Sequence, residues 1–160
     1  MKKIFFFIAI ALSMVTNAQV TGVSLQASGL TCSMCSNSIN KALKTLDFVL
    51  QVDADIKTYT FEISFKPNSS IDFDMIKNKV ENAGFTVNGF VATILFNNVQ
   101  VINSQPVTIG DKTFLLINVK DQPLNGVKKV KVLDKGFVSP KEYKRSAFPV
   151  SSPRTYHATI

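Results

Sequence analysis

The chain has 160 residues, 46% of them hydrophobic, with 13 Phe, no Trp and a formal net charge of +7. Two cysteines are too few for a disulfide-dense scaffold, so a hydrophobic core must hold the fold together. The charge is uneven: residues 20–97 hold six Lys against seven acidic residues, whereas residues 98–160 hold ten basic residues against four acidic ones. In a cytoplasmic protein a basic half would point to nucleic acid, but in an exported one an anionic surface or an acidic partner fits better. A solvated basic β-surface is the plainer reading still, and no nucleic-acid partner is expected.

The first stretch, "MKKIFFFIAIALSMVTNAQ", places Lys2 and Lys3 before an apolar run from Ile4 to Val15 and then Thr16-Asn17-Ala18. This is the pattern of a secretory signal peptide over residues 1–18, with cleavage after Ala18 leaving Gln19 as the new N-terminus. The run is shorter than the roughly 20 residues a spanning helix needs, and no later segment is long and apolar enough. The expected product is exported, periplasmic or secreted, with no stable membrane insertion after signal cleavage. About 140 residues remain, enough for one ordinary domain or two small ones.

Along the next segment the hydrophobic rhythm changes repeatedly. "VTGVSLQAS" alternates, with Val23, Leu25 and Ala27 on one face, and predicts a half-buried strand. A cysteine-containing loop follows. Ile39, Ala42, Leu43 and Leu46 then recur at helical spacing, with Lys41 and Lys44 outside. "VLQVDADI" aligns Leu50, Val52, Ala54 and Ile56, and "YTFEISFK" aligns Tyr59, Phe61, Ile63 and Phe65, which together predict an antiparallel hairpin. After the break at Pro67–Ser70, Phe73, Ile76, Val80 and Ala83 mark the stripe of a second helix ended by Gly84. "FTVNGFVATILF" returns to extended structure. The order βαββαβ over residues 20–97 is that of a ferredoxin-like sandwich, an α+β fold with two helices covering one face of a four-stranded antiparallel sheet.

From Val99 onward no helix is evident. Short apolar segments near Val99–Val101, Val107–Ile109, Phe114–Val119, Val127–Leu133 and Tyr156–Ile160 are punctuated by Pro106, Gly110, Pro123, Asn125-Gly126 and Gly136. Residues 98–160 therefore read as a small all-β domain or sheet extension, with an OB-like barrel as one candidate. Residues 139–153, rich in Ser, Pro and charge, read as an exposed loop, and "RTYHATI" as a last strand returning to the sheet.

Cys32 and Cys35 lie between the first strand and the first helix, where Gly29 lets the chain turn. Cys35 falls at or just before the first helical turn, whose unpaired amides and dipole favour a thiolate. The three-residue step brings both sulfurs to one side of the helix entrance. Thiolates select soft or borderline ions: Cu(I), Hg(II), Zn(II) and Cd(II). Two sulfurs satisfy linear Cu(I) or Hg(II), whereas structural zinc takes four ligands; with no further cysteine and His157 as the only histidine, Cu(I) leads. A structural disulfide, a thiol oxidoreductase pair and buried inert cysteines are the competing readings. Thr31, Ser33, Ser36 and Asn37 make the loop polar, which speaks against the last.

"GLTCSMC" at the strand–helix junction of this element order resembles the heavy-metal-associated domain family. That family includes small copper chaperones, the metal-binding modules of copper-transporting ATPases and the periplasmic mercury-binding protein. The resemblance covers roughly Val20 to Phe96. Gly29, Thr31, Cys32 and Cys35 match the usual Gly-Met-Thr-Cys-x-x-Cys signature, and the resemblance implies that Cys32 and Cys35 are the metal ligands. Leu30 stands where the family has a Met that packs beneath the loop, and Leu is similar in volume. "AGF" at Ala83–Phe85 resembles the family's second-helix exit, so Phe85 is expected to shield the site, with ordinary core packing as the alternative.

Met34, between the two cysteines, is expected on the surface rather than as a third sulfur ligand. His157, a lone histidine, is expected to be structural, and Lys41 and Lys44 to form a solvated helix face. No Ser-His-Asp arrangement, phosphate loop, dinucleotide fingerprint or zinc-protease motif is present, which argues against an enzyme. The expected function is binding of one Cu(I) and its release by thiolate exchange. The expected partners are a metal-transporting ATPase or another CxxC protein. Scavenging of mercury or another thiophilic metal, and a thiol–disulfide redox module, are the alternatives.

Overall fold

A computed structural model describes residues 18–30, 33–146, 148 and 153–160. The stretch read as a signal peptide lies, apart from Ala18, outside the described residues. No helix among the described residues is long and apolar enough to cross a membrane.

The first half follows the rhythm of its sequence. Strand β1 (Gln19–Ser28) is followed by helix α1 (Ser33–Lys44), strands β2 (Val49–Asp55) and β3 (Thr60–Phe65), helix α2 (Phe73–Asn82) and strand β4 (Thr86–Val101). β1 is central, paired antiparallel with β3 on one side and β4 on the other, and β2 pairs with β3 to form the edge. Val23, Leu25 and Ala27 of β1 are buried against Ile39 and Leu43 of α1 and Phe73, Ile76 and Val80 of α2. Asp72 caps α2, its carboxylate accepting from the Met75 amide at 2.9 Å and so satisfying one of the helix's unpaired donors. Gly84 ends the helix at φ +89°, a backbone region that favours glycine.

The alternation expected in β2 is displaced. Val49 and Val52 are buried, whereas Leu50, Ala54 and Ile56 are exposed. A register shift between Val49 and Gln51 adds one residue to β2 opposite Phe65 and Ser64, so Val49 and Val52 are both buried while Leu50 turns outward. Ala54 and Ile56 keep the parity of Val52 and line a shallow depression beside Ser36 and Asn40 of α1, where they stay exposed.

Residues 98–160 contain the expected short strands, but they do not close on themselves. Strand β4 continues to Val101, followed by β5 (Pro106–Ile109), β6 (Lys112–Leu116), β7 (Gln122–Val132) and β8 (Thr155–Thr159). β7 pairs antiparallel along β4 from Val91 to Val101, and β8 lies between β7 and β6, parallel to the latter. The result is a single eight-stranded sheet in the order β2-β3-β1-β4-β7-β8-β6-β5, open at both edges, rather than an OB-like barrel. The reason lies in the length of β4, whose outer edge is free after β1 has paired and whose backbone groups need partners.

The core is also continuous. Phe73 of α2 packs on Phe90 of β4 at 4.9 Å between ring centroids, on Tyr156 of β8 at 5.2 Å and on Phe114 of β6 at 6.2 Å. One helix thus covers strands from both halves of the chain. A third helix, α3 (Pro140–Ser146), occupies part of the stretch read as an exposed loop. Ser139 accepts from the Glu142 amide at 3.2 Å and Pro140 fills the first helical position.

An ionic network ties α2 to the last strand. Arg154 donates to Asp74 at 2.9 Å and to Asp134 at 3.1 Å, and the Tyr156 hydroxyl donates to Asp74 at 3.0 Å. Burial pushes the Asp74 carboxyl up, but the hydrogen bond and charge of Arg154, with Tyr156 and Lys77 behind them, outweigh it and hold the group below its usual 3.8. A lowered carboxylate contributes stability that is present above its unfolded value and is lost as pH falls through the folded one. Acid titrations of wild type and Asp74→Asn should therefore show the wild-type advantage in full above about pH 5, shrinking below the ordinary carboxylate value. An advantage that did not change in acid would contradict this assignment.

Candidate metal centre

β1 ends at Ser28, whose hydroxyl lies 2.6 Å from that of Thr86 at the start of β4. Gly29 then turns the chain at φ +88°. A Cβ there would sit 3.9 Å from the Phe85 ring, ordinary contact distance, so the glycine is required by its backbone angle rather than by crowding. Leu30 is buried at 7% exposure, filling the core beneath the loop as its volume suggested. Thr31 and Cys32 lie outside the described residues.

α1 starts at Ser33, which places Cys35 in its first turn. The positive end of the helix favours negative charge at this position. Cys35 is half-buried and packs, with Phe85, against the edge of the core. One side of its sulfur therefore meets apolar surface, and the residues around it on the helix, Ser33, Met34 and Asn37, are exposed. Met34, at 78% exposure, is on the surface as expected. Phe85 is half-buried beside Gly29, consistent with both shielding and packing.

Ser36 departs from expectation. Its place among the polar residues of the loop predicts exposure, yet it is 2% exposed, and its hydroxyl has no hydrogen-bond partner among the described residues. The periodicity explains the burial: Ser36, Ile39 and Leu43 fall on one stripe of α1 and all three are buried. Reading the stripe one turn further toward the N-terminus would have found it.

His157 stays away from the loop. Two strands, β4 and β7, separate β8 from β1 in the sheet. Its Nδ1 pairs with the buried Asp134 carboxylate at 2.8 Å and its ring stacks on Phe148 at 4.5 Å, so the histidine is structural. Lys41 and Lys44 are exposed on α1. Among the described residues no cluster of three or more His, Cys, Asp or Glu side chains forms a metal-sized group.

Residues 24–86 match the family profile described as a heavy-metal-associated domain. This stretch of the chain is a heavy-metal-associated domain. It takes in the second half of β1, the loop, α1, the β2–β3 hairpin and α2. Over 60 residues the chain is 38% identical to the probable copper-transporting ATPase HMA5 of Arabidopsis thaliana, a match covering 38% of this chain and 6% of the relative. Over 64 residues it is 36% identical to a probable copper-exporting P-type ATPase of Archaeoglobus fulgidus, covering 40% of this chain and 8% of that one. The chain thus spans less than a tenth of the length of these curated relatives. Among solved structures, the yeast copper transporter domain CCC2A is 32% identical, with 41% of this chain and 88% of that one covered and a TM-score of 0.38. The matched residues supply β2, β3 and the second half of β1 and end at the first residue of β4, along whose outer edge β7 pairs.

Proposed function

We propose that this protein binds one Cu(I) ion through Cys32 and Cys35 and passes it on by thiolate exchange, as an exported carrier rather than an enzyme. The observation that carries the reading is the position of Cys35. It sits half-buried in the first turn of α1, beyond the φ-positive Gly29 and the buried Leu30, inside a domain whose matched relatives include copper-transporting ATPases. Two soft donors suit a monovalent soft ion.

Ion transfer needs an open coordination position. An acceptor thiolate enters, the ion passes through a three-coordinate sulfur intermediate, and one of the original thiolates leaves. The exposed Ser33, Met34 and Asn37 put the start of α1 in water, while Leu30 and Phe85 pack onto the core on either side of it. The partner is accordingly a second thiol-bearing metal protein, a metal-transporting ATPase or another CxxC protein. The basic, signal-like N-terminus supports export.

Competition against a chromophoric Cu(I) chelator tests the reading. Reduced protein should withdraw one equivalent of copper per chain, and protein oxidised with a disulfide-forming reagent should withdraw none. Equal withdrawal by both forms would remove the thiolates from the site.

A further inference from the structure

The geometry points to a groove between α2 and α3 as a docking site for an acidic, amphipathic segment of the protein that exchanges metal with this one. The inference rests on the carrier reading but uses residues outside the cysteine loop. The groove has a volume of about 600 Å³. Its apolar surface comes from Val87, Val138, Pro140 and the Tyr143 ring, whose hydroxyl is already engaged with the Phe148 carbonyl at 2.9 Å. Its rim carries Lys135 and Lys144, both exposed, facing the single carboxylate Glu81. Lys77 also lines it, but is committed to Asp74 at 3.4 Å and lies over the Phe137 ring at 5.3 Å. Among the described residues Lys135 and Lys144 make no ion pair, so their charge faces solvent.

The groove lies beside the metal loop through shared backbone. Thr86, on its wall, bonds to Ser28, the last residue of β1 before Gly29 and the cysteines. A partner held here has its own metal ligands near the loop, which converts an encounter into a short-range transfer. The groove exists because Gly136 adopts φ +83° against α2, where a Cβ would lie 3.0 Å from Lys77 Cδ and 3.3 Å from Glu81 Oε1. Only the C-terminal part of the chain supplies α3 and Gly136, both beyond the matched residues 24–86. A concave apolar floor with a cationic rim fits one protein segment carrying acidic and apolar residues. A flat anionic membrane would meet the rim lysines but not the floor.

The test uses the full chain, a fluorescein-labelled peptide of Glu-Asp-Leu repeats and fluorescence anisotropy at low and physiological salt. The acidic peptide should bind, more weakly as salt rises. Lys135→Glu/Lys144→Glu should bind it at least about tenfold more weakly while still taking up one Cu(I). Lys128→Glu/Lys129→Glu, which alters the net charge equally on β7, should bind it like wild type. Equal loss in both variants, no binding to wild type at low salt, or preference for phosphatidylglycerol vesicles over the peptide would overturn the proposal. A wild type that binds the peptide through Lys135 and Lys144 but takes up no Cu(I) supports the groove and removes the carrier reading, so the two fail separately.

Discussion

Changing Cys32 and Cys35 together to Ser is expected to abolish competition for Cu(I), and Cys35→Ser alone to weaken it by more than a hundredfold. The scale follows from the chemistry of the donor set. Loss of a residue that merely supports a metal ligand costs roughly 10–100-fold in affinity, and removing one of only two ligands must cost more. Neutral Ser hydroxyls are poor, hard donors to a soft ion. Folding should survive, because Cys35 lies at the margin of the core rather than within it. The check is chelator competition on folded variants, with circular dichroism as the control. A Cys35→Ser protein that retained wild-type affinity would place the metal elsewhere.

Asp134→Ala should lower stability by about 3 kcal/mol, a drop in Tm of roughly 6–12 °C for a domain of this size. Asp134 is fully buried. One of its oxygens accepts from Arg154 at 3.1 Å and the other pairs with His157 at 2.8 Å. Removing the carboxylate strands a partly buried guanidinium and leaves a buried imidazole nitrogen without its partner, and each carries a desolvation cost. Arg154 keeps Asp74 and about a quarter of its side-chain surface in water (27% exposure), which holds the figure at the lower end of the range for buried pairs. The same substitution should leave Cu(I) affinity within a factor of about three, since β4 and β7 stand between β8 and β1. Thermal unfolding and chelator competition on one preparation check both halves.

The fold of the first half was legible because one face of each element is buried and the other is wet. Val23, Leu25 and Ala27 in β1, and Phe73, Ile76 and Val80 in α2, carry their periodicity openly. In β2 the alternation misplaces Leu50, because a bulge is a matter of pairing with β3 and leaves no local mark. The helix at Pro140–Ser146 did leave one: Ser139-Pro140 followed by Glu142 is an N-terminal cap, hidden within a run of polar residues. That the later strands extend the first sheet depends on β4 running unbroken to Val101 and offering its edge to β7, a long-range pairing that periodicity does not report.

The site was legible to a different degree. The motif, the helix start and the outward Met34 follow from spacing, and the burial of Leu30 follows from volume. Ser36 was misplaced because its polarity was weighed above its position on the buried stripe. The groove between α2 and α3 had no sequence signal, since Lys77 and Lys144 are far apart in the chain and meet only once α3 has folded.

X-ray absorption at the copper edge of the Cu(I)-loaded full chain tests the central claim most directly. Binding by Cys32 and Cys35 predicts a shell of two sulfur donors and no nitrogen or oxygen donor, with the copper signal lost from Cys32→Ser/Cys35→Ser. A shell containing nitrogen or oxygen, or an unchanged spectrum in the double variant, would contradict it.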